Sequence, residues 1–360
     1  MTVRILLLTT AIVVSVGAAA AAVLVHKPAH VSLVAGQADD KTPITVASTK
    51  PGAPGEVALR TAIYDRVEQL MAARDYATLD AMEEQFRTSH EVTPGGVPKL
   101  YEFHASLQRS FGNPSPSSDC RMAGDQTLGD WEKAAPNSPA IYITEAAVAV
   151  KRAWCWRGDG YGSAVSAENG AKFQAYLGAA EAILTEHKAV AAQDPEYFSV
   201  MEDVYKGQGR DRSEFEALVA EGAGKDPYYY PIYWGAYYYN MPQWYGSAED
   251  VDAAARDAVT RTRARDGLGA YARYYWRASQ DDCGCWKDAV DWPSMKQAMR
   301  DVAKRYPDPW NLANFAKLSC DMNDGATARA YFTALGRIDG AEAWQKDRAG
   351  WQQCRSLAGL

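Results

Sequence analysis

Apolar residues recur at intervals of three and four along most of this chain. Leu59, Ile63, Val67, Leu70 and Met71 make one stripe, and Leu79, Met82 and Phe86 make the next. Phe173, Tyr176, Leu177, Ala180 and Leu184 repeat the pattern, as do Met295, Ala298, Met299, Val302, Ala303 and Tyr306. This spacing gathers side chains on one face of a helix. No sustained alternation of period two competes with it, so the pattern predicts an all-α protein. Four dipeptides mark helix starts: Ser138-Pro139, Asp194-Pro195, Asp226-Pro227 and Asp308-Pro309. The first residue of each can accept a free backbone N–H, and proline at the first helical position gives up a donor that had no partner. The segment from Pro195 to Pro227 reads as a helix, a turn at Gly207–Gly209 and a second helix near Ser213–Ala223, with Ser213 and Glu216 as a capping box. Its length approaches the tetratricopeptide period of about 34 residues. The repeat is degenerate elsewhere, so the expected fold is an irregular, tetratricopeptide-like stack of antiparallel helix pairs, an α-solenoid.

The N-terminus carries a different signal. After Arg4, an uncharged run from Ile5 to Val25 ends at His26 and Lys27. As a helix it would reach about 30 Å, the thickness of a bilayer core. The Ala18–Ala22 run also offers small-residue cleavage sites. Residues 1–27 therefore read as a signal peptide or a signal anchor. Residues 28–55, rich in Pro, Ala, Gly, Thr and Lys, read as a flexible tether, and 56–360 as the helical-repeat domain. The expected location is the periplasm, secreted or anchored to the inner membrane by residues 5–25.

Export changes the meaning of the six cysteines. In an oxidising compartment disulfides are the default, and six cysteines allow about fifteen pairings. The helical reading ranks them. Cys120 precedes a short helix near Gln126–Ala135, and Cys155 ends the next, from Pro139 to Trp156. In a hairpin those ends lie side by side, which predicts Cys120–Cys155. Cys320, near the end of the helix opening at Pro309, is predicted to meet Cys354 two helices later. Cys283 and Cys285 are left for one another or for a metal. No histidine or further cysteine stands near them to complete a zinc site, so a structural role is expected and no metal.

From about Trp131 to the C-terminus the sequence resembles an uncharacterised bacterial family of exported, tetratricopeptide-like helical proteins. The resemblance rests on Trp156-Arg157-Gly158 with Gly160-Tyr161 and Val165-Ser166 following, then Asp226-Pro227 and Pro242-Gln243-Trp244-Tyr245-Gly246-Ser247. It continues in Tyr271-Ala272-Arg273-Tyr274-Tyr275-Trp276, Asp291-Trp292 and the run Arg305-Tyr306-Pro307-Asp308-Pro309-Trp310-Asn311-Leu312. What it implies is a stack of helix pairs; it brings no activity and no catalytic residues. The Cys283-Gly284-Cys285 insertion departs from it.

A net charge of −7 and a pI near 5.4 argue against nucleic acid as a partner. No metalloprotease, phosphate-loop, nucleophile-elbow or dinucleotide motif is present, and none of the five histidines stands at ligand spacing on a folded helix. His187 falls on an apolar stripe and reads as a packing residue. Glu83-Glu84 and Asp281-Asp282 are adjacent pairs whose members point ~100° apart in a helix, so neither is a dyad by itself. No cofactor is expected. The concentrated feature is aromatic: Tyr228-Tyr229-Tyr230, Tyr233-Trp234, Tyr237-Tyr238-Tyr239 and Trp244-Tyr245 surround one helix. Trp234 and Tyr237, with Tyr233 and Tyr238, are the expected partner-binding residues, the first two partly exposed, while Tyr230 and Trp244 are packed. The leading expectation is a non-catalytic scaffold binding a protein or peptide in an aromatic groove. An envelope enzyme using carboxylates gathered by the fold, and a glycan or small-ligand binding module, are the alternatives. A carboxylate pair across an aromatic cleft would favour the enzyme.

Overall fold

The computed structural model describes residues 32–34, 44, 54–112, 120, 124–158, 160, 162–281, 284–336, 341–344 and 347–360. Among them the chain forms α-helices and short 3-10 turns, with one isolated β-bridge, Val92 to Pro98, and no strand. The first half comprises α1 (Glu56–Ala73), α2 (Tyr76–Ser89), α3 (Lys99–Ser110), α4 (Asp125–Ala134), α5 (Pro139–Arg157), α6 (Ala167–Glu186), α7 (Lys188–Ala191) and α8 (Glu196–Gln208). The second comprises α9 (Arg212–Lys225), α10 (Pro231–Asn240), α11 (Ala248–Asp266), α12 (Gly269–Ala278), α13 (Trp286–Ala289), α14 (Trp292–Arg305), α15 (Pro309–Asp321), α16 (Gly325–Leu335) and α17 (Arg348–Leu357). The all-α stack predicted from the apolar spacing is what the chain builds. The predicted leader, residues 1–27, lies outside the described residues; among these no helix is long and apolar enough to cross a membrane.

Local chemistry sets the helix ends. Pro139 and Pro309 occupy first-turn positions as expected, and Asp308 caps α15 by accepting the Trp310 N–H at 2.9 Å. Two starts differ from the sequence reading. The capping box of α9 is Asp211 with Glu214, not Ser213 with Glu216. Asp226 opens a turn, accepting the Tyr228 N–H at 2.9 Å, and the helix begins only at Pro231. A helix from Pro227 would need an N–H at position 231 to reach the Pro227 carbonyl, and proline has none. That carbonyl accepts the Tyr233 hydroxyl instead, at 2.9 Å.

Helix neighbours follow one another in a circuit. α1 packs on α3, α3 on α5, α5 on α8, α8 on α10 and α10 on α12. α12 reaches α15 through the Trp276 indole N–H, which bonds Asn314 at 3.0 Å, and α15 returns to α1. α2, α6, α9, α11 and α14 each sit between two successive members and cover them from outside, while α4 packs on α5 and α2. Burial agrees: α5, α10 and α12 are buried over most of their length, whereas α6 buries Phe173, Leu177, Ala180 and Leu184 and leaves its other face in solvent. Glu56 at the start of α1 meets Asp308 just before α15, and Lys206 near the end of α8 meets Tyr238 near the end of α10. The inner helices thus run the same way, with their C-terminal ends gathered on one side.

One turn joins the two ends of the stack. The buried Glu56 carboxylate accepts the Thr93 hydroxyl at 2.8 Å, the Gly95 N–H at 2.6 Å and the Arg60 guanidinium at 2.6 Å. The Gly95 carbonyl accepts from Arg273 of α12 at 2.8 Å and from Asn311 of α15 at 3.0 Å. Gly96 has φ +83°, and a Cβ there would stand 2.3 Å from an Arg273 nitrogen, so the turn needs glycine for conformation and for space.

The predicted tether is held at the points the structure describes. Leu33, Val34 and Ile44 pack against the C-terminal core, and the Leu33 N–H donates to the Ser294 hydroxyl at 2.8 Å. Apolar side chains scattered without period gave no sign of this in the sequence. The two predicted disulfides are formed: Cys120–Cys155, with Cα atoms 5.5 Å apart, and Cys320–Cys354, at 5.6 Å. Cys285 is disulfide-bonded as well, while Cys283 lies outside the described residues. Such bridges belong to chains that mature in an oxidising compartment.

Candidate functional site

A cavity of about 780 Å³ runs between the inner helices, from the first residues of α8 and α10 to the C-terminal halves of α5, α8 and α10, a size ordinary for a ligand site. α3 contributes Tyr101 and Gln108, α5 Lys151 and Trp154, and α8 Glu196, Ser199, Asp203 and Lys206. α10 contributes Trp234 and Tyr238; Trp244, Arg277 and Asp281 complete the wall. Tyr101, Trp154, Tyr238 and Trp244 are half-buried, each showing part of its ring to the cavity. Cations fit this end of the molecule because helix C-termini carry partial negative charge. Lys151 donates to the Gln108 carbonyl at 2.6 Å, satisfying the last turn of α3, and burial lowers its pKa to about 8. The Lys206 ammonium lies 5.1 Å from the Trp154 ring centre and 5.0 Å from that of Tyr238, and pairs with Asp203 at 2.7 Å.

The floor of the cavity rests on a buried polar network. Glu196 opens α8, and its N–H is accepted by Asp194 at 2.8 Å. Its carboxyl oxygens accept the Tyr229 hydroxyl at 2.7 Å and the Gln108 amide at 3.2 Å. Burial raises the Glu196 pKa to about 7, against an opposing pull from His104. Asp194 bonds His104 at 2.7 Å with both side chains out of solvent. Burial disfavours the imidazolium, but the Asp194 carboxylate outweighs it, and the His104 pKa rises to about 9. Glu83 joins from α2; burial and the Asp194 charge raise it to about 8. Glu202, one turn before Lys206, is 1% exposed, and neither of its carboxyl oxygens has a hydrogen-bond partner. Only glycine fits opposite it, since a Cβ on Gly235 would collide with that carboxyl.

The expected exposure of the aromatic helix is not found. Trp234 is 7% exposed, Tyr237 1% and Tyr233 2%, because α10 is an inner helix enclosed by α8, α9, α11 and α12. Tyr237 packs edge-on to Tyr274 at 5.7 Å, and Tyr233 lies in the core with it. Trp234 and Tyr238 still reach the cavity; Tyr233 and Tyr237 do not line it. Tyr230 is packed as expected, its hydroxyl bonded to Asp266. Trp244 is half-buried against Trp154, with ring centres 5.5 Å apart. His187 is a packing residue, stacked on Tyr142 at 3.7 Å.

Sequence reasoning passed over Glu196, Asp203, Lys206 and Gln108. One signal was present. Glu196, Ser199, Asp203 and Lys206 stand at i, i+3, i+7 and i+10, a polar stripe on a helix whose other positions include Tyr197, Phe198, Val200, Met201 and Val204. A polar stripe on an enclosed helix marks a cavity wall. Among the described residues no group of three or more His, Cys, Asp or Glu side chains could hold a metal ion. Comparison of the chain with family models, with curated proteins and with solved structures finds no match.

Proposed function

We propose that the protein is an exported carbohydrate-binding protein that holds a short oligosaccharide in this cavity. One observation carries the reading: half-buried aromatic rings alternate with amide, carboxylate and ammonium groups around a single enclosed space. A sugar presents apolar C–H faces and hydroxyl edges, which match rings and polar groups in turn. A wholly apolar ligand would leave the charges of Lys206, Asp203 and Arg277 desolvated without compensation. A polyanion would meet Glu196, Asp203 and Asp281. The volume suits roughly two to four sugar rings. The disulfides and the Ile5–Val25 run support export to the periplasm, where envelope glycans are the available saccharides. The motif order from Trp156 to Leu312 supports kinship with the exported tetratricopeptide-like family.

The test is a tryptophan-fluorescence titration with β-1,4-linked tri- to hexasaccharides of glucose and of N-acetylglucosamine. Saturable binding is expected, weakened about tenfold or more by Trp244→Ala and unchanged by Trp351→Ala, which lies against Phe332 and Trp344 away from the cavity. Equal affinities for the two variants, or no saturable binding, would overturn the proposal.

A further inference from the structure

The further inference rests on the carbohydrate reading and concerns what the cavity does to the sugar. α8 places two acids on the wall, Glu196 and Asp203. Seven residues bring a helix back to nearly the same direction, about 10 Å further along its axis, so both acids face one ligand. Their surroundings differ. Glu196 is buried, and its hydrogen-bond partners, Tyr229 and Gln108, are uncharged. The Asp203 side chain is 45% exposed and pairs with the Lys206 ammonium. Trp234, on the same wall, is buried, and its indole N–H has no protein acceptor.

We propose that the cavity hydrolyses a glycosidic bond with inversion, Glu196 acting as general acid and Asp203 as general base. Glu196 passes its proton to the leaving oxygen as the bond from the anomeric carbon to that oxygen breaks. Asp203 takes a proton from a solvent water whose oxygen bonds to the anomeric carbon from the opposite face. The water's remaining O–H ends on the sugar, and the Glu196 proton ends on the released alcohol. Proton exchange with solvent then restores both acids. A rise of about 10 Å between the two positions stands just beyond the roughly 6.5–9.5 Å held between carboxyl groups in inverting enzymes and far from the roughly 5–5.5 Å of a direct nucleophile, so there is room for the water once the two side chains lean toward the ligand. Burial, which holds the Glu196 pKa near 7, keeps a proton available in neutral solution. Asp281 is the poorer base: one oxygen accepts the Tyr238 hydroxyl at 3.1 Å and the other is sealed from solvent.

The test incubates the full chain with β-1,4-linked hexasaccharides of glucose and of N-acetylglucosamine, reading new reducing ends by chromatography and their configuration by proton NMR. Inverted product is expected. Glu196→Gln should lower the rate by about 10²- to 10⁴-fold on these sugars. The same variant should be nearly unimpaired on a dinitrophenyl glycoside, whose leaving group needs no proton. Asp203→Asn should fail on both substrates, and Asp257→Asn, whose carboxylate pairs with Arg261 on the surface of α11 away from the cavity, on neither; circular dichroism and saccharide binding confirm that each variant folds. Binding without cleavage overturns the hydrolysis and leaves the binding function standing, whereas absence of binding overturns both. Retained configuration, equal loss of Glu196→Gln on both substrates, or full activity of Asp203→Asn overturns the assignment of roles.

Discussion

His104, Glu83 and Glu196 show how burial turns individual residues into pH-sensitive ones. All three hold their proton more tightly folded than unfolded: His104 through Asp194, against the cost of burial, and the two glutamates through burial itself. When the folded state binds more protons, stability falls as pH rises. The contribution is fully present below the unfolded pKa values and is lost as pH climbs through about 7 for Glu196, 8 for Glu83 and 9 for His104. Thermal melts should therefore show a lower midpoint at pH 8 than at pH 6. Lys151 works in the opposite sense only above its folded value of about 8, outside that interval. Glu83→Gln removes one of the titrating groups while keeping its shape and should flatten the pH dependence. A midpoint that rises from pH 6 to pH 8 would contradict the network described for α2, α3 and α8.

At the scale of elements, the turn from Thr93 to Val97 does more than connect α2 to α3. It supplies the groups that receive Glu56 from α1, Arg273 from α12 and Asn311 from α15. Gly96→Ala would force a side chain into left-handed backbone and into Arg273 and Tyr306. A loss of about 1–3 kcal/mol in urea unfolding is expected. Gly170→Ala is the matched control: that glycine lies in α6 with open space around its Cβ position, so alanine should be neutral or stabilise by up to about 1 kcal/mol through helix propensity. Equal effects at the two sites would show that the turn does not join the ends of the stack. Pro94, Gly95, Gly96 and Pro98 are residues that favour a turn, but nothing in their order tells what the turn holds.

For the whole molecule, each bridge fastens a segment outside the circuit of inner helices to one of its members. Cys120–Cys155 fastens the segment before α4 to the end of α5, and Cys320–Cys354 fastens α17 to α15. Their sequence separations of 35 and 34 residues are long enough for loop-closure entropy to matter. Replacing Cys320 and Cys354 by serine should cost about 2–4 kcal/mol in equilibrium unfolding. Full stability in the double variant would mean that α17 is held by packing alone. Trp344 and Trp351, with ring centres 5.7 Å apart, form the packing that would then have to suffice.

Local rules settled a large share of this molecule. Three-and-four spacing specified helices because one face of each must leave water, and Asp308-Pro309 set a helix start because capping and a fixed φ act within a few residues. The Cys120–Cys155 bridge followed from hairpin geometry and the Cys320–Cys354 bridge from the stacking of helices two apart, both relations between near neighbours in the chain. Which side of α10 would meet solvent was a different matter. Its tyrosines point in every direction, so their burial depended on α8, α9, α11 and α12 closing around it, and no spacing within α10 records that. The site followed the same logic. Glu196, Asp203, Trp154, Tyr238 and Arg277 stand on four elements and meet only because the inner helices run the same way and gather their ends. Burial then gives those side chains their chemistry, for a carboxyl is an ordinary acid in water and a proton reservoir near neutrality once the fold has taken the water away.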